Sequence, residues 1–279
     1  MLLTQILTQS FNKQVVVELL KNIPGMTWTP AVNEHLKKMS SSFNVKRSFN
    51  TFPLFTQIYT VPQAFSWLDE KPECLKVRDH GDCGSTLAFQ AVGQFSDNRC
   101  ISKFDKTRIN YSEQYQISCD TVDLGCEGGY LAQGMYYIKS NGVPTLQCVS
   151  YKSGTTGQPG KCPTTCDDGS EIKLVKSQNY FYVGGEEGIK AALSQGTVYT
   201  YFQVYEDFMF YVDGIYQHQY GDVAGAISVS IVGYGEEEGI PYWIVRNSLG
   251  ASWGKNGYFR VIRGRNECEI EVEAYIQIV

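Results

Sequence analysis

The chain has 279 residues, a net charge of −5 and 24 basic side chains that are scattered along the sequence rather than gathered in a stripe. Proteins that track a phosphate backbone usually carry such a basic stripe, so we do not expect nucleic acid as a partner. No run approaches the roughly 18 apolar residues that cross a bilayer, and no membrane span is expected either.

The segment from residue 1 to about 58 contains no cysteine and alternates apolar with basic stretches, such as QVVVELLKN and EHLKKMSSSFNVKR. We predict that it is mostly helical. Its first residues have neither the basic start nor the apolar core of a signal peptide. A new folding unit is expected near Val61, because the proline in TVPQAF breaks any helix and the cysteines begin soon afterwards.

Residues from about 60 to 170 predict helices separated by loops rich in glycine and cysteine. The segment STLAFQAVGQFSDNRC repeats its apolar residues at helical spacing. The segment SEQYQISC opens with a cap residue, Ser112, and YLAQGMYYIKSNG ends on Gly142, as a helix C-terminus does.

After about residue 171 the pattern changes from helix to strand. One predicted helix, EEGIKAALSQG, is followed by runs rich in Val, Ile, Tyr and Phe: VYTYFQVY, AISVSIVGYG, PYWIVRN, GYFRVIRG and IEVEAYIQIV. A helical half followed by an antiparallel β half is an α+β architecture, with a cleft expected between the halves.

The nine cysteines are unevenly placed, since eight of them lie between Cys74 and Cys166. This density is typical of a protein that folds in an oxidising compartment. The sequence has no CxxC pair and only three histidines, so neither a metal site nor another cofactor is expected. Spacing alone leaves the disulfide pairing open.

Four blocks of sequence carry a family resemblance. RDHGDCGSTLAF resembles the papain-family signature Gln-Gly-X-Cys-Gly-Ser-Cys-Trp-Ala-Phe, and CEGGY resembles the family's Cys-Asn-Gly-Gly loop. YGDVAGAISVSIVGYG resembles the strand that bears the general base, and PYWIVRNSLGASWGKNGYFRVIRG resembles the Asn-Ser-Trp block. The blocks have the family's order and spacing over residues 61 to 279. The stretch GTVYTYFQVYEDFMFYVDGIYQHQYGDV and Trp28 in MTWTP resemble cathepsin B.

The resemblance implies a papain-like, two-lobed α+β fold. Its helical left lobe would span about 60–170 and its antiparallel β-barrel right lobe about 171–279, with the substrate cleft between them. Residues 1–58 would be a cathepsin B-like prosegment that lies along this cleft, and 59–279 the peptidase domain. An ordinary N-terminal extension is the alternative for the first segment.

The catalytic positions implied by the resemblance hold unsuitable residues. A cysteine peptidase needs a thiolate that is kept ionised by an imidazolium and a helix N-terminus. Thr86 falls at the nucleophile, Ile227 at the general base and His80 at the oxyanion glutamine, while Asn247 alone is retained. Leucines replace two tryptophans, at Leu87 and Leu249. We expect Thr86 to cap its helix and Asn247 to be a buried hydrogen bonder.

Three functions remain open. The first is a pseudopeptidase that binds peptides without cleaving them. The second is an active endopeptidase that uses an unconventional Thr86 and His80 site, and the third is a structural secreted module. A further rival, Cys83 as nucleophile beside His80, is disfavoured because the resemblance makes Cys126 its disulfide partner. His218 is expected on the surface and His35 in the prosegment.

By resemblance the disulfides are Cys74–Cys100, Cys83–Cys126, Cys119–Cys162 and Cys148–Cys166, with Cys268 free. The region from Cys148 to Cys162 lacks the two histidines of the cathepsin B occluding loop, so removal of C-terminal dipeptides is not expected.

Gly128, Gly129 and Glu273 match groove residues that bind an extended peptide, and Glu273 would favour a basic side chain. The expected partners are a peptide or protein ligand, cystatin-like inhibitors and the chain's own prosegment. The expected location is the secretory pathway, a lysosomal or endosomal vesicle, or the extracellular space.

Overall fold

The polypeptide forms a helical lobe and a β-sheet lobe in the computed structural model of the chain. The structure describes residues 13–35, 38–39, 43–48, 53–54 and 61–279. The predicted α+β architecture of two lobes is confirmed, and the β lobe is built on one large, mainly antiparallel sheet. Among the described residues, no helix has both the length and the apolar character that a bilayer crossing requires.

The helices with described bounds fall mainly in the first two thirds of the chain. They are α1 (Lys13–Lys21), α2 (Trp67–Glu70), α3 (Thr86–Ile101), α4 (Glu113–Cys119), α5 (Leu131–Ser140), α6 (Ser153–Thr156) and α7 (Gly185–Leu193). As predicted, the Ser112 side chain caps α4 by accepting the N–H of Tyr115. Gly142 follows the end of α5 in the left-handed conformation that a helix C-terminus favours.

The strands are short near the N-terminus and long in the last third. They are β1 (Trp28–Pro30), β2 (Val45–Lys46), β3 (Phe65–Ser66), β4 (Gly129–Tyr130), β5 (Asn179–Val183), β6 (Val198–Tyr205), β7 (Tyr211–Tyr216), β8 (Val223–Glu237), β9 (Ile240–Arg246), β10 (Tyr258–Ile262) and β11 (Ala274–Ile278). The five predicted runs coincide with β6 and with β8 to β11.

One large sheet holds most of these strands, in the order β1-β7-β10-β9-β8-β6-β11-β5, with β3 paired to β8. The long central pair is antiparallel, and Phe202 of β6 lies opposite Ile227 of β8. Strands β10 and β7 of this sheet pair in parallel. The described β2 and β4 pair separately, in parallel, outside the large sheet.

Helix α3 is buried along almost its whole length because it lies between the two lobes. Its apolar side chains pack with the helical lobe, whereas its polar side chains bond the sheet. Gln94 donates to the carbonyls of Thr197 and Tyr275, and Gln90 accepts the hydroxyl proton of Ser230. The first residue of this central helix is Thr86.

The N-terminal segment packs on both the sheet and the groove. Helix α1 buries Val16, Val17 and Leu20, and β1 adds an antiparallel edge strand to β7. The Trp28 ring lies against Tyr211 and Tyr216. The expectation of a mostly helical segment is wrong for the described residues, because pairing with β7 and β4 requires extended backbone.

Four disulfides join Cys74 to Cys100, Cys83 to Cys126, Cys119 to Cys162 and Cys148 to Cys166, with S–S distances between 1.96 and 2.07 Å. They are the four pairs that the resemblance implies, and Cys268 is a buried free thiol. All four bridges lie within the helical lobe or its loops.

Candidate functional site

The nucleophile position lies at the interface of α3 and β8. Thr86 is 1% exposed and is the first residue of the helix, after Ser85 at the cap position. Its hydroxyl accepts the backbone N–H of Ser228 at 3.3 Å. The expected helix cap by Thr86 is therefore wrong, since its hydroxyl bonds the neighbouring strand rather than the first turn of its own helix.

The base position lies directly beside this contact. Ile227 precedes Ser228 on β8, is 3% exposed and belongs to the main apolar core with Phe202. The fold thus brings the two positions together as the sequence motifs imply. An isoleucine side chain offers no proton acceptor to the Thr86 hydroxyl.

The oxyanion position holds a fully buried imidazole. The Nδ1 atom of His80 is 3.1 Å from the carbonyl oxygen of Gly81, and Nε2 has no hydrogen-bond partner among the described residues. Burial lowers the pKa of His80 to about 4, against the opposing effect of Asp79. The ring is consequently neutral at neutral pH.

The short segment between Cys148 and Cys162 covers His80. The Tyr151 hydroxyl donates to the His80 carbonyl at 2.6 Å, and the Asp82 N–H donates to the Gly154 carbonyl at 2.9 Å. Gly81 has a φ of +63°, and a Cβ there would lie 2.4 Å from the Gly154 carbonyl oxygen. Within the described chain no hydrogen bond joins His80 to Thr86, so the structure does not pair these two side chains.

Asn247 is buried at 1% exposure, as expected, but only half of its amide is bonded. Its Oδ1 accepts the N–H of Ser248 at 2.8 Å, and its Nδ2 has no partner in the described part of the chain. The hydrogen bond that its oxygen makes is thus to backbone, and no imidazole bonds it in the described part of the chain. Leu249, at the shielding tryptophan's position, is buried beside it.

The cysteines offer no thiol at this centre. Cys83 is bonded to Cys126, which removes the rival nucleophile. The free Cys268 lies 3.9 Å from a carboxylate oxygen of Glu267, and burial together with this carboxylate raises the pKa of its thiol well above the ordinary value. A thiol of that kind is a poor nucleophile.

A groove next to Thr86 holds residues 43–48 of the same chain. Val45 and Lys46 pair in parallel with Gly129 and Tyr130 of β4 on one wall. On the other wall, the Ala226 N–H donates to the Phe43 carbonyl at 3.3 Å. The segment therefore runs between the two lobes as an extended strand.

Glycines make this close approach possible. Gly128 has a φ of +85°, and a Cβ on it would lie 2.3 Å from the Asn44 carbonyl oxygen. The Val45 side chain is 5% exposed and shares an apolar cluster with Leu87 and Ala226. Leu87, at the position where the resemblance implies tryptophan, thus forms part of the apolar surface that the docked strand contacts.

Glu273 lies at the end of the docked segment. Its two carboxylate oxygens accept the Ser48 N–H at 3.0 and 2.9 Å, and the Tyr275 hydroxyl donates to it at 2.8 Å. Burial raises the pKa of Glu273, although these hydrogen bonds partly oppose the shift. Its hydrogen bonds with the docked segment are with peptide backbone.

Sequence reasoning missed Asp123, which braces the groove wall. Its Oδ1 accepts the Tyr130 N–H at 2.8 Å, and burial, assisted by nearby Asp120, raises its pKa to about 7. Nothing in the motif CEGGY marks this residue, because it precedes the motif and acts through a folded loop.

The other two histidines lie in different surroundings. The His218 Nδ1 is 3.1 Å from Asp207, and the ring stacks on Tyr205 with centroids 3.7 Å apart, so it is less exposed than a plain surface residue. His35 lies in the N-terminal segment, with Nε2 3.2 Å from the Ser252 hydroxyl. In the described ranges no group of three or more metal-ligating side chains converges.

Comparisons with known proteins agree with this geometry. The family profile described as "Papain family cysteine protease" matches residues 61–278. The chain is 43% identical over 226 residues to "Cathepsin B-like CP2" of Giardia intestinalis, covering 79% of this chain and 75% of that one. It is 33% identical over 246 residues to "Cathepsin B-like cysteine proteinase 4" of Caenorhabditis elegans, covering 76% and 73%.

A solved structure, "proCathepsin B S9 from Trypanosoma congolense", superimposes with a TM-score of 0.87 over 95% of this chain and 97% of that one, at 24% identity. This likeness concerns the fold. With the matching family profile and the similar relatives, the chain belongs to the papain family of cysteine peptidases as a cathepsin B-like member.

Proposed function

We propose that this protein is a pseudopeptidase, which binds extended polypeptide in a papain-type groove and does not cleave it. One observation carries the proposal. The hydrogen-bond partner of the Thr86 hydroxyl, within the described residues, is the Ser228 N–H, which is a donor. A hydroxyl attacks a carbonyl only when a base removes its proton, and a donor cannot do so.

The surrounding residues support the same conclusion. Ile227 has no acceptor, and His80 is buried, neutral and directed to the Gly81 carbonyl. Loss of catalytic triad members typically leaves only about 10³–10⁴-fold acceleration over water. The absence of a hydrogen bond between Thr86 and His80 among the described residues supports the pseudopeptidase over an active endopeptidase that would use this pair.

Binding does not depend on the missing chemistry. The docked residues 43–48 use main-chain hydrogen bonds to Gly129 and Ala226, as strand addition does in other peptide-binding proteins. We propose that residues 1 to about 58 act as a prosegment and that the groove accepts other peptides or cystatin-like inhibitors when this strand leaves.

The four disulfides indicate the compartment in which the protein folds. Four disulfides and membership of this family support folding in the secretory pathway. A lysosomal or endosomal vesicle, or the extracellular space, is the proposed destination.

Turnover of a fluorogenic arginine peptide tests the absence of catalysis. The assay compares the full chain with Val45→Asp, which places a carboxylate among Leu87 and Ala226 and so opens the groove. We expect no turnover above that of Val45→Asp combined with Thr86→Val. Turnover that Thr86→Val abolishes would refute the proposal and favour the active endopeptidase.

Calorimetry with the same Val45→Asp protein tests the groove. Heat on titration with a synthetic FNVKRS peptide is expected, whereas no heat at high concentration would favour a structural secreted module. In addition, Thr86→Cys with Ile227→His in the Val45→Asp background should label with an epoxide inhibitor. Thr86→Cys without the histidine is the matched control and should label more slowly.

A further inference from the structure

The docked strand, residues 43–48, contacts one carboxylate through a side chain and another through its backbone. An Arg47 guanidinium nitrogen lies 3.4 Å from Glu269, and the guanidinium lies over the Tyr201 ring at 5.8 Å from its centroid. The N–H of the next residue, Ser48, points at Glu273. The direct contacts of the side chain and the backbone are thus made with different carboxylates, while the Arg47 charge acts on Glu273 only as the last of the effects that lower its pKa.

Glu273 is unsuited to hold a guanidinium in this arrangement. Both of its oxygens face the Ser48 N–H, and Oε1 also accepts the Tyr275 hydroxyl. The residue is 4% exposed, so a long cationic side chain would have to displace these donors to reach it. A buried carboxylate with this set of donors is a backbone anchor.

Glu269 is held towards the groove by a braced turn. Glu271 accepts the N–H groups of Gly264 and Asn266 at 2.8 and 3.1 Å, and the Asn266 side chain accepts the Glu271 N–H at 3.0 Å. Glu269 itself has a left-handed φ of +59°, which is uncommon for a residue with a side chain. The turn therefore fixes the backbone from which the Glu269 side chain extends.

We infer that a basic side chain of a peptide in this groove is bound by Glu269 and the face of Tyr201, and that Glu273 holds the backbone N–H of the next residue. The inference rests on the proposed peptide-binding function and specifies its ligand. That ligand is an extended strand parallel to β4, with arginine before a small residue other than proline. A hydroxyl suits the second position, because the Ala132 N–H donates to the Ser48 Oγ at 3.0 Å.

Hydrogen exchange over residues 43–48 of the full chain, read by mass spectrometry, measures how often the strand leaves the groove. Arg47→Gln and Glu269→Gln should each raise exchange about two- to five-fold, the range for a partly exposed ion pair. Together they should raise it no more than one alone. Arg47→Gln with Glu273→Gln should instead multiply the two single effects.

Two matched variants test the assignment further. The Lys46 ammonium lies over the Tyr130 ring, 5.6 Å from its centroid. The increases in exchange caused by Lys46→Gln and by Glu269→Gln should therefore multiply in the double variant. Ser48→Pro should expose the whole strand, because proline has no N–H for Glu273, whereas Ser48→Ala keeps that N–H, loses only the bond from Ala132 and should raise exchange much less. If a single glutamine variant fails to fold, the charge swap Arg47→Glu with Glu269→Arg should recover the protection that Arg47→Glu loses.

Exchange of residues 43–48 could rise no further when Arg47→Gln is added to Glu273→Gln, yet rise further when it is added to Glu269→Gln. That result would overturn the inference and assign charge selection to Glu273. Independent effects in both pairs would overturn it as well. The peptide turnover assay decides the proposed function separately, because exchange of the chain's own strand does not depend on cleavage.

Discussion

Removal of the Asp97 charge should destabilise the protein severely. Asp97 lies on α3 and is fully buried. It pairs with Arg246 at 2.7 Å and Arg108 at 2.9 Å, and the Thr197 hydroxyl lies 3.3 Å away. In Asp97→Asn two guanidinium groups lose their carboxylate, and one amide oxygen replaces both of its oxygens.

The magnitude depends on the burial of Arg246, which is 2% exposed and cannot rehydrate without opening the lobe interface. Breaking a buried ion pair by removing one partner costs about 3–5 kcal/mol. Urea unfolding under non-reducing conditions should show this loss in the free energy of unfolding. Because Arg246 directly precedes Asn247, the network also fixes the distance between this strand and the helix that begins at Thr86.

The matched control is Asp167→Asn, the same chemical change in a largely exposed pair with Lys152. Exposed pairs contribute about 0–1 kcal/mol, so this variant should unfold close to the wild type. If Asp97→Asn loses no more stability than Asp167→Asn, the reasoning from burial is wrong. Thermal unfolding of both variants at the same pH gives an independent check.

Three further outcomes are expected. The pKa of Asp123 is raised to about 7 in the folded protein, so the folded state binds this proton more tightly than the unfolded state does. The free energy of unfolding should therefore fall progressively as the pH rises from about 4 to about 7. Asp123→Asn should therefore gain thermal stability relative to wild type at pH 7.5 but not at pH 4, and an equal difference at both values would contradict this. In NMR titration of the three imidazoles, His80 should stay neutral until the pH approaches 4, and a midpoint near 6.5 would show that it is not buried as described. Gly225→Ala should increase exchange of residues 43–48, because its Cβ would lie 2.4 Å from the Phe43 Cβ; Gly239→Ala, also at a positive φ but with open space around it, should leave that exchange unchanged.

The long elements could be predicted because their sequences are locally consistent. The run VYTYFQVY coincides with β6, and the last four strand-like runs coincide with β8 to β11. Strand β7 was not predicted, since Asp213 and Gly214 interrupt its apolar pattern and its pairing with β1 is decided by the fold. The short strands of the N-terminal segment were predicted as helix because their pairing, too, is decided by the fold and not by a local pattern.

The site was only partly accessible from sequence. The family resemblance implies that Thr86 and Ile227 lie together, and the contact between Thr86 and Ser228 agrees with this. The burial of His80 was not predictable, because the cover comes from Tyr151 and Gly154, about seventy residues away in the chain. The same holds for Asp97 and Asp123, whose roles arise from long-range contacts that leave no local pattern.

The geometry of the groove supports the proposed peptide binding without cleavage, because the groove contacts the main chain of the docked strand. At Gly128 and Gly225 a side chain would collide with the backbone or Cβ of the docked strand, so these positions serve the approach of a peptide main chain. Neither depends on a thiol or an imidazole. At the positions that the resemblance assigns to the catalytic pair, Thr86 and Ile227 are buried, uncharged groups. The walls of the groove therefore hold an extended strand through glycines that admit its main chain and through the carboxylates of Glu269 and Glu273.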